Sequence, residues 1–353
     1  MKIDYLLKNV APWLTGDGPK ADIVLSSRIR LARNLRDYNF PRRMTRENRR
    51  KIFTLVTSGI EHTDSLRDAL VVELEGLTDL DRQFLMERHL ISRELSPEQQ
   101  GAVIIGKREV VSLMVNEEDH LRMQVIRSGL SLSVCWEEID RLDTQLEKHL
   151  DYQFSPTLGY LTACPSNVGT GMRASVMIHL PALVLHKQIG KIIQAVGKLG
   201  LAVRGINGEG SPASGNIFQI SNQSTLGKSE EEILNDLEKI IRKIIIHESN
   251  GRRLLLEGQL LRVEDRIYRA LGSLKNARLI TSEETLDLLS ALRMGVDLGV
   301  LDKITRSTVN QIFIQSQPAH LQKLAGSALT PEKRDALRAS LIQEKLSSGN
   351  KPE

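Results

Sequence analysis

Cysteine is scarce in this 353-residue chain, which contains only Cys135 and Cys164. Two cysteines cannot form the disulfide framework that stabilises small secreted domains, and so few of them suit a reducing compartment. No uninterrupted apolar run approaches the roughly 20 residues of a membrane helix. The amino-terminal segment mixes Lys2, Asp4 and Lys8 with apolar residues, unlike the continuous apolar core of a signal peptide. We therefore expect a cytoplasmic protein that does not enter a membrane.

An excess of charge of one sign is also missing. The 48 lysines and arginines are interspersed with 44 aspartates and glutamates, which leaves a formal net charge of +4. A pI near 9.0 would suit a weak nucleic-acid binder, but a mixed charge pattern does not identify such a partner. We expect no direct binding of nucleic acid.

Two common types of site are absent from the sequence. The eight histidines and two cysteines show no spacing typical of zinc ligands, so we expect no metal bound directly by the protein. Gly227-Lys228-Ser229 resembles the end of a phosphate-binding P-loop, but Asn222 occupies the position of the first glycine in that pattern. We interpret Ser229 as a helix cap instead, and Thr45, Thr78 and Thr281 as the caps of three other predicted helices.

Hydrophobic periodicity predicts a mixed first part and a helical second part. The predicted strands cover residues 23–31, 69–72, 102–105, 110–115, 160–163, 174–180, 201–204 and 216–221. The predicted helices of the first part cover residues 45–59, 78–90, 130–150, 181–199 and 230–248. From about Gly251 only capped helical patterns follow, so we predict one domain over 1–250 and a smaller all-helical domain over 251–353.

Four segments of the first domain combine arginine with small or acidic residues. They are Ser26-Ser27-Arg28-Ile29-Arg30, Asn116 to Arg122, Cys164 to Ser175 and Arg204 to Gly210. Taken singly, each has an ordinary alternative: an edge strand with surface arginines, a solvated acidic turn, a glycine turn or a long hairpin loop. Together they supply five arginines and two carboxylate centres, which suits phosphoryl transfer to a basic nitrogen.

The chemistry explains why these residue types would occur together. Phosphoryl transfer needs positioning, magnesium and positive charge around the phosphates, and arginines can clamp a triphosphate in bidentate fashion. A guanidinium acceptor has a pKa above ~12 and must lose a proton, which a positioned glutamate makes easier. Cys164 would help as a thiolate beside the cation, or would simply pack.

These stretches resemble the phosphagen (guanidino) kinase family, in the same order, from about Ile23 to about Glu248. The resemblance implies an α+β fold, an antiparallel β-sheet flanked by helices that is similar to glutamine synthetase, with ATP and Mg²⁺ as cofactors. It implies that Glu118 and Glu209 hold the guanidinium, that Glu118 is the base, and that Cys164 is the reactive cysteine. The residues that it implies for nucleotide binding are Ser26, Ser27, Arg28, Ile29, Arg30, His89, Arg122, Arg173, Ala174, Ser175, Val176, Met177, Arg204, Gly205, Ile206, Asn207 and Gly208.

The chain departs from the small-metabolite members of this family at two places in its first domain. Only 25 residues precede Ser26, where those enzymes carry a helical domain with a loop that closes over the acceptor. The acceptor pocket is therefore expected to be open to a larger substrate. Asn207 stands where many small-substrate members have another arginine, so phosphate contacts are expected to differ there.

The helical part contains Arg334-Asp335-Ala336-Leu337-Arg338-Ala339. This motif resembles the allosteric phosphoarginine pocket of the bacterial protein-arginine kinases, a branch of the same family, and implies a pocket formed by Arg334, Asp335, Arg338 and Ala339. On a helix, Arg334 and Arg338 share one face and could hold a phosphate together. The alternative is a solvated, charged helix face.

The resemblance to that branch implies partners as well. They are protein substrates with accessible arginines, a heat-shock transcriptional repressor among them, a Clp unfoldase and protease that accepts the marked proteins, and a second copy in a homodimer built through the helical region. Whether an activator subunit is required stays open. Two other functions also stay open: a kinase of free arginine or a related guanidino metabolite, and a phosphoarginine-binding adaptor without catalysis.

Overall fold

The computed structural model describes residues 3–8, 10–205 and 214–348 of the chain. The strands are β1 Val24–Arg33, β2 Leu70–Glu73, β3 Ala102–Ile105, β4 Val111–Val115, β5 Leu121–Ser128, β6 Phe154–Ser155, β7 Gly159–Tyr160, β8 Met172–His179, β9 Leu201–Gly205 and β10 Ile217–Asn222. The helices are α1 Arg46–Ile60, α2 Asp79–Glu87, α3 Leu132–Glu147, α4 Pro181–Leu185, α5 Ile189–Lys198, α6 Glu230–Asn276, α7 Ser282–Asp297, α8 Arg306–Gln315, α9 Pro318–Ala325 and α10 Pro331–Ser348. Within these ranges, no helix combines the length and the apolar character needed to cross a bilayer.

Eight of the strands form one sheet in the order β2-β3-β4-β5-β1-β8-β10-β9. Every neighbouring pair in it is antiparallel. The long strand β1 lies between β5 and β8, so both of its edges are hydrogen-bonded. The predicted antiparallel sheet flanked by helices is confirmed.

One face of the sheet is the main hydrophobic core. Alternate residues of the central strands, such as Ile29, Leu31 and Val176, are fully buried against α1, α3 and α6. Side chains along a strand point to opposite faces in turn, so these apolar residues alternate with the polar and charged ones between them. Burial of each large apolar side chain stabilises the fold by roughly 1.5–3 kcal/mol.

On the other face, the described residues form two apolar clusters. One joins Phe84 and Leu85 of α2 to Val103 and Met114 of the sheet. The second cluster joins helices α7, α8 and α10 to Ile126 and Met177 of the sheet, and it includes Trp13. The helices that follow residue 276 thus pack directly on the sheet and leave a polar area between the two clusters.

Four predicted helix caps are confirmed. The side chains of Thr45, Thr78, Ser229 and Thr281 each accept a hydrogen bond from a backbone N–H in the first turn of their helix. Such a cap stabilises a helix because it satisfies one of the free donors at its start.

The helix predicted over 181–199 is wrong in one respect, because the chain forms two helices there. Lys187 adopts a left-handed backbone conformation with φ of 57° between α4 and α5. Glu248 of α6 accepts hydrogen bonds from the backbone N–H groups of Ala182 and Leu183, at 3.1 and 3.0 Å. This tertiary contact holds α4 against α6, and a local pattern cannot reveal it.

The strand predicted over 160–163 is shorter in the structure, where only Gly159–Tyr160 pairs, with β6. Beyond it the N–H of Leu161 still donates to the carbonyl of Gln153, but the carbonyl of Leu161 accepts from Asn34 and the N–H of Ala163 donates to Asp119.

Helix α6 continues well past its predicted end at residue 248. It has one non-helical residue, Gln259, with φ of −142° and ψ of 25°. The predicted boundary between residues 250 and 251 lies inside this helix. The division of the chain into two domains therefore stays a prediction.

Arg33, at the end of β1, joins three parts of the fold in the interior. Its Nε and Nη2 atoms donate to Asp143 of α3 at 3.1 and 2.5 Å, and Nη1 donates to the carbonyl of Thr170 at 2.9 Å. Its guanidinium carbon lies 3.5 Å from the centre of the Tyr160 ring. The side chains of Arg33 and Asp143 are 2% and 11% exposed.

Replacing Arg33 with methionine should destabilise the protein by roughly 3–5 kcal/mol, because it leaves the Asp143 carboxylate buried without its partner. The change in the free energy of unfolding can be measured by urea denaturation. The control is Arg36→Met: Arg36 lies 3.5 Å from Asp151, and the two side chains are 58% and 68% exposed. That substitution should cost less than about 1 kcal/mol. Equal losses for the two variants would contradict the assignment.

Candidate active site

The register of the sheet brings the five predicted arginines to one face. In neighbouring strands Arg30 is paired with Arg173, Arg28 with Ser175, and Ala32 with Arg122. Arg204 is paired with Gln219, which is itself paired with Met177. Paired residues and alternate residues along a strand share a face. We call the face with Arg28, Arg30, Arg122, Arg173 and Arg204 the arginine face.

The other residues of the predicted nucleotide set divide between the two faces. Ser26, Ser175 and Met177 share the arginine face through the same register. The remaining members in β1 and β8 are buried on the opposite side: Ser27, Ile29, Ala174 and Val176. The hydroxyl of Ser27 donates to the carbonyl of Gly129 at 2.8 Å, which is a structural contact. Because side chains alternate along a strand, these four cannot reach a ligand on the arginine face.

Positive charge is concentrated on this face. Burial, together with Arg122 and Arg173, lowers the pKa of Arg28 to about 10, and burial with the neighbouring arginines lowers the pKa of Arg30 well below its ordinary value. The Nε atom of Arg30 is buried without a hydrogen-bond partner. Guanidinium groups packed this closely repel one another, so an anion bound among them would relieve the repulsion.

A cavity of about 740 Å³ opens beside the arginine face. Arg28, Arg30, Arg204, Gln124 and Gln219 line it from the sheet. Its volume lies within the roughly 300–1,000 Å³ of sites that bind small molecules and cofactors.

His89 lines the same cavity, directly after helix α2. Its backbone is left-handed, with φ of 59°, and its ring lies 4.7 Å from the Trp13 ring between centres. Burial, followed by the charges of Arg28 and Arg30, lowers the pKa of His89 to about 3. The ring is therefore neutral near pH 7 and can pack against an aromatic base.

The acidic turn between β4 and β5 holds two glutamates in different environments. Glu117 is fully buried and accepts hydrogen bonds from Arg122 and Ser92. Burial opposes its ionisation, but Arg122 and these hydrogen bonds hold the pKa of Glu117 below its ordinary value. Glu117 is thus a partner that orients Arg122.

Glu118 is half-buried, and among the described residues no hydrogen bond to its carboxylate is present. Burial, followed by the charges of Asp119 and Glu117, raises the pKa of Glu118 above its ordinary value. A carboxylate with a raised pKa is a stronger base than an ordinary glutamate, so Glu118 suits the role of a proton acceptor.

Asp119 and Asn34 fix this turn to the loop that carries Cys164. Oδ1 of Asp119 accepts from Asn34 Nδ2 and from the backbone N–H of Ala163, each at 2.7 Å. Asn34 also donates to the carbonyl of Leu161 at 3.0 Å and accepts from the N–H of His120 at 2.9 Å. Sequence reasoning missed Asn34, whose only signal is a polar residue directly after the long strand β1.

Cys164 is half-buried, and its Sγ atom lies 3.0 Å from the Ser166 hydroxyl. The loop after Cys164 is held in place by Thr225, whose hydroxyl donates a hydrogen bond to the carbonyl of Val168 at 2.7 Å. Gly169 has φ of 114°, and a Cβ atom there would lie 2.3 Å from the carbonyl oxygen of Thr225. This glycine is therefore required for close packing.

Two backbone N–H groups of the glycine-rich segment, residues 167–171, are used within the protein. Gly169 donates to the carbonyl of Tyr160 and Thr170 donates to the carbonyl of Thr225. Arg173, which follows that segment, has its side chain on the arginine face.

Ile206, Asn207, Gly208 and Glu209 lie outside the described residues. On either side of them, Gly205 ends β9 and Ser214 begins the next described segment. The segment before β10 is bound to helix α7. The N–H of Gly215 donates to Asp287 at 3.0 Å, and Asn216 donates to the Ser290 hydroxyl at 2.7 Å. Sequence reasoning missed both contacts, because they join residues more than 70 positions apart.

The motif of the predicted phosphoarginine pocket lies at the start of α10. Arg338 is buried and donates to the carbonyls of Ser316 and Ile280, each at 2.8 Å, and to Asp335 at 2.5 Å. Arg334 is half-buried and donates to the carbonyl of Leu329 at 3.3 Å. Ala339 is buried. In this arrangement Arg338 and Asp335 bind each other and anchor α10, and the phosphoarginine pocket stays a prediction.

In the part of the chain that the structure describes, no three histidine, cysteine, aspartate or glutamate side chains come together as metal ligands would.

Comparison with known proteins gives two family matches. Residues 51–251 match the family described as ATP:guanido phosphotransferase, C-terminal catalytic domain. Residues 261–353 match the family described as protein-arginine kinase McsB C-terminal domain. Between them, the two families account for most of the chain.

Among curated relatives, the protein-arginine kinase of Bacillus cereus (strain G9842) is 47% identical over 350 residues, which cover 98% of this chain and 99% of the relative. Among solved structures, a lombricine kinase is similar with a TM-score of 0.59 and 27% identity over 69% of this chain and 70% of its own. The duplicated taurocyamine kinase of Schistosoma mansoni has a TM-score of 0.60 and 24% identity over 69% of this chain and 35% of its own, and shows a shared fold.

The carboxyl group of Glu118 should titrate above the ordinary value of 4.5. In Asp119→Asn the midpoint should move to lower pH, because a neighbouring negative charge is removed while the acceptor oxygen for Asn34 and Ala163 is kept. NMR of protein labelled with ¹³C at glutamate carboxyls would measure the midpoint, with Glu118→Gln to assign the signal.

Asp151→Asn is the control for this titration, because Asp151 is exposed and does not contribute to the pKa shift of Glu118. It should leave the midpoint unchanged. A midpoint that stays the same or rises in Asp119→Asn would show that the environment of Glu118 is not as described.

Proposed function

Because the chain belongs to the protein-arginine kinase family, within the ATP:guanido phosphotransferases, we propose that it transfers the γ-phosphoryl group of ATP to arginine side chains of proteins. The observation that carries the proposal is the arginine face, which lies beside a turn that presents Glu118 as a base. A positive face binds the donor, and a carboxylate with a raised pKa prepares the acceptor.

The donor would bind with its phosphates among Arg28, Arg30, Arg122, Arg173 and Arg204. Arginine keeps its charge at all relevant pH values and binds phosphate oxygens bidentately, so several of them fix the triphosphate and stabilise charge that develops during transfer. Glu117 supports this arrangement because it holds the Arg122 side chain in place. The carboxylates of the described part are not grouped as a metal site, so Mg²⁺ would be held by the phosphates, whose charge it would partly neutralise.

The acceptor would be a guanidinium group at Glu118. Its nitrogen has no free lone pair while it is protonated, so a proton must leave as the nitrogen attacks. Glu118 takes that proton, a bond forms between the nitrogen and the γ-phosphorus, and the bond from the γ-phosphorus to the bridging oxygen of ADP breaks. We assign Glu209 as the second carboxylate and Cys164 as the reactive cysteine beside the cation. The contacts of Asp119 and Asn34, which join the Glu118 turn to the Cys164 loop, support the assignment of Cys164; the assignment of Glu209 rests on the family.

Proteins are the proposed acceptors for two reasons. Glu118 and Cys164 are both half-buried and not enclosed, so an arginine on a polypeptide can approach them. The similarity to a protein-arginine kinase also covers 98% of the chain, including the helical part.

The remaining proposals rest on the family alone. We propose that proteins with phosphorylated arginines pass to a Clp unfoldase and protease, and that a heat-shock transcriptional repressor is one substrate. We also propose a stress-response role in the cytoplasm, a homodimer formed through the helical part, and allosteric control by phosphoarginine at Arg334, Asp335, Arg338 and Ala339. The match of residues 261–353 to the family's C-terminal domain supports these proposals. An activator subunit is a further candidate partner.

The proposal is tested by incubating the purified chain with Mg-ATP carrying labelled γ-phosphate and either a disordered, arginine-containing protein or free arginine. Acid-labile label on protein arginines is the expected result. Label on free arginine alone would assign a metabolite kinase instead, and tight phosphoarginine binding without any label would assign an adaptor.

Glu118→Gln should lower the rate of transfer at least about 100-fold, because the amide cannot take the proton. The affinity for ATP should stay within a few-fold, since Glu118 does not line the cavity beside the arginine face. Steady-state kinetics and an equilibrium ATP-binding measurement check the two parts. Glu75→Gln, at an exposed position, is the control and should retain normal turnover. Near-normal turnover in Glu118→Gln would remove Glu118 from its role.

A further inference from the structure

The cavity beside the arginine face has a second wall, which comes from the helical part of the chain. Leu286 of α7, Phe313 and Ile314 of α8, and Gln317 and Pro318 at the start of α9 line it. We call these five residues the helical wall. The cavity is thus lined by the sheet, by α2 and the segment that follows it up to residue 94, and by helices that follow residue 276.

The helical wall is mostly apolar, whereas the sheet side carries the arginines. Leu286, Phe313 and Ile314 belong to one buried cluster with Ile126 and Met177 of the sheet. The ring of Trp13 lies 6.4 Å from Phe313 and 4.7 Å from His89, so aromatic and apolar groups meet at this end. A ligand that fits such a cavity has an anionic end and a flat, apolar end.

We propose that the helical wall forms part of the nucleoside subsite for ATP. The base binds between the neutral His89 ring and the side chains of Leu286 and Ile314, and the triphosphate extends to the arginine face. The inference rests on the proposed function in that ATP is the donor. The guanidinium acceptor does not fit this end, since Glu118 and Cys164 are absent from the lining of the cavity.

Glu87 joins the two sides of the subsite. This residue ends α2, two positions before His89, and its carboxylate accepts from the backbone N–H groups of Ala319 and His320 at 2.8 and 3.1 Å. It also lies 2.7 Å from the His320 ring. The start of α9 is therefore bound to the segment that positions His89, and the helical wall has a fixed place relative to the base. It follows that the carboxyl-terminal helices contribute directly to nucleotide affinity.

Two isoleucines of α8 provide a matched pair of variants. Ile312 and Ile314 are 0% and 1% exposed and belong to the same buried cluster, but only Ile314 lines the cavity. Alanine at either position removes the same atoms from the core, whereas only Ile314→Ala removes a contact with the ligand.

Binding can be followed through Trp13 in a Trp136→Phe background, since the chain has two tryptophans. Titration with ATP and with inorganic tripolyphosphate distinguishes the contribution of the nucleoside to the binding affinity from that of the phosphates. In Ile314→Ala, ATP should bind about ten-fold more weakly, because an apolar contact with the base is lost, and tripolyphosphate should bind within two-fold of the unaltered chain. Ile312→Ala should leave both affinities within about two-fold.

Unchanged ATP affinity in Ile314→Ala would overturn the inference, as would an equal loss for tripolyphosphate or an equal loss of ATP affinity in Ile312→Ala. If the alanine variants do not fold, as judged by circular dichroism, the same criteria apply to the pair Ile314→Val and Ile312→Val. We expect about a two- to three-fold loss of ATP affinity, and only at position 314.

Measurements of ATP binding and of arginine labelling on the unaltered chain distinguish this inference from the proposed function. If that chain binds ATP but labels no arginine, the proposed function fails and the inference stands; if it does not bind ATP, both fail.

Discussion

Five guanidinium groups lie on one face of one antiparallel sheet, and their mutual repulsion is the constraint on which the site depends. The strand register that pairs Arg30 with Arg173 and Arg28 with Ser175 holds them together. Burial, followed by the charges of the neighbouring arginines, lowers the pKa values of Arg28 and Arg30, which reflects the free-energy cost. The apolar residues on the opposite face provide the compensating burial. A sheet that is rigid because of its core can keep like charges close. The positions of the arginines then determine where an anion that neutralises them binds.

In the acidic turn, too, some residues have a structural role and another is left for the reaction. Glu117 is buried and orients Arg122, whereas Glu118, the next residue, is left without a hydrogen bond to its carboxylate in the described part of the chain. Asp119 has two effects: its hydrogen bonds fix the turn to the Cys164 loop, and its charge raises the pKa of Glu118. Three consecutive carboxylates thus have three different tasks because their surroundings differ.

Local patterns predicted well those features that local physics determines. The caps at Thr45 and Ser229 and the strand alternation at Arg28 and Arg30 follow from hydrogen bonding and from the period of a strand. The break at Lys187, the position of Asn34 and the contact of Asp287 with Gly215 depend on residues distant in sequence, so no window of sequence contains them. The phosphate pocket at Arg338 stays a prediction from spacing and resemblance, and the structure adds that the carbonyls of Ser316 and Ile280 accept hydrogen bonds from its guanidinium.

Two sets of hydrogen bonds between the helical part and the rest of the chain bear on the site. Helix α7 binds the segment before β10 through Asp287 and Ser290, and α9 is bound to the end of α2 through Glu87. Arg338 of α10 is bonded to Ile280, directly before α7, and to Ser316, directly after α8. A ligand that drew Arg338 away from these carbonyls would therefore loosen the same helices that line the nucleotide cavity. These contacts identify the helices that would have to move if phosphoarginine binding changed the affinity for ATP.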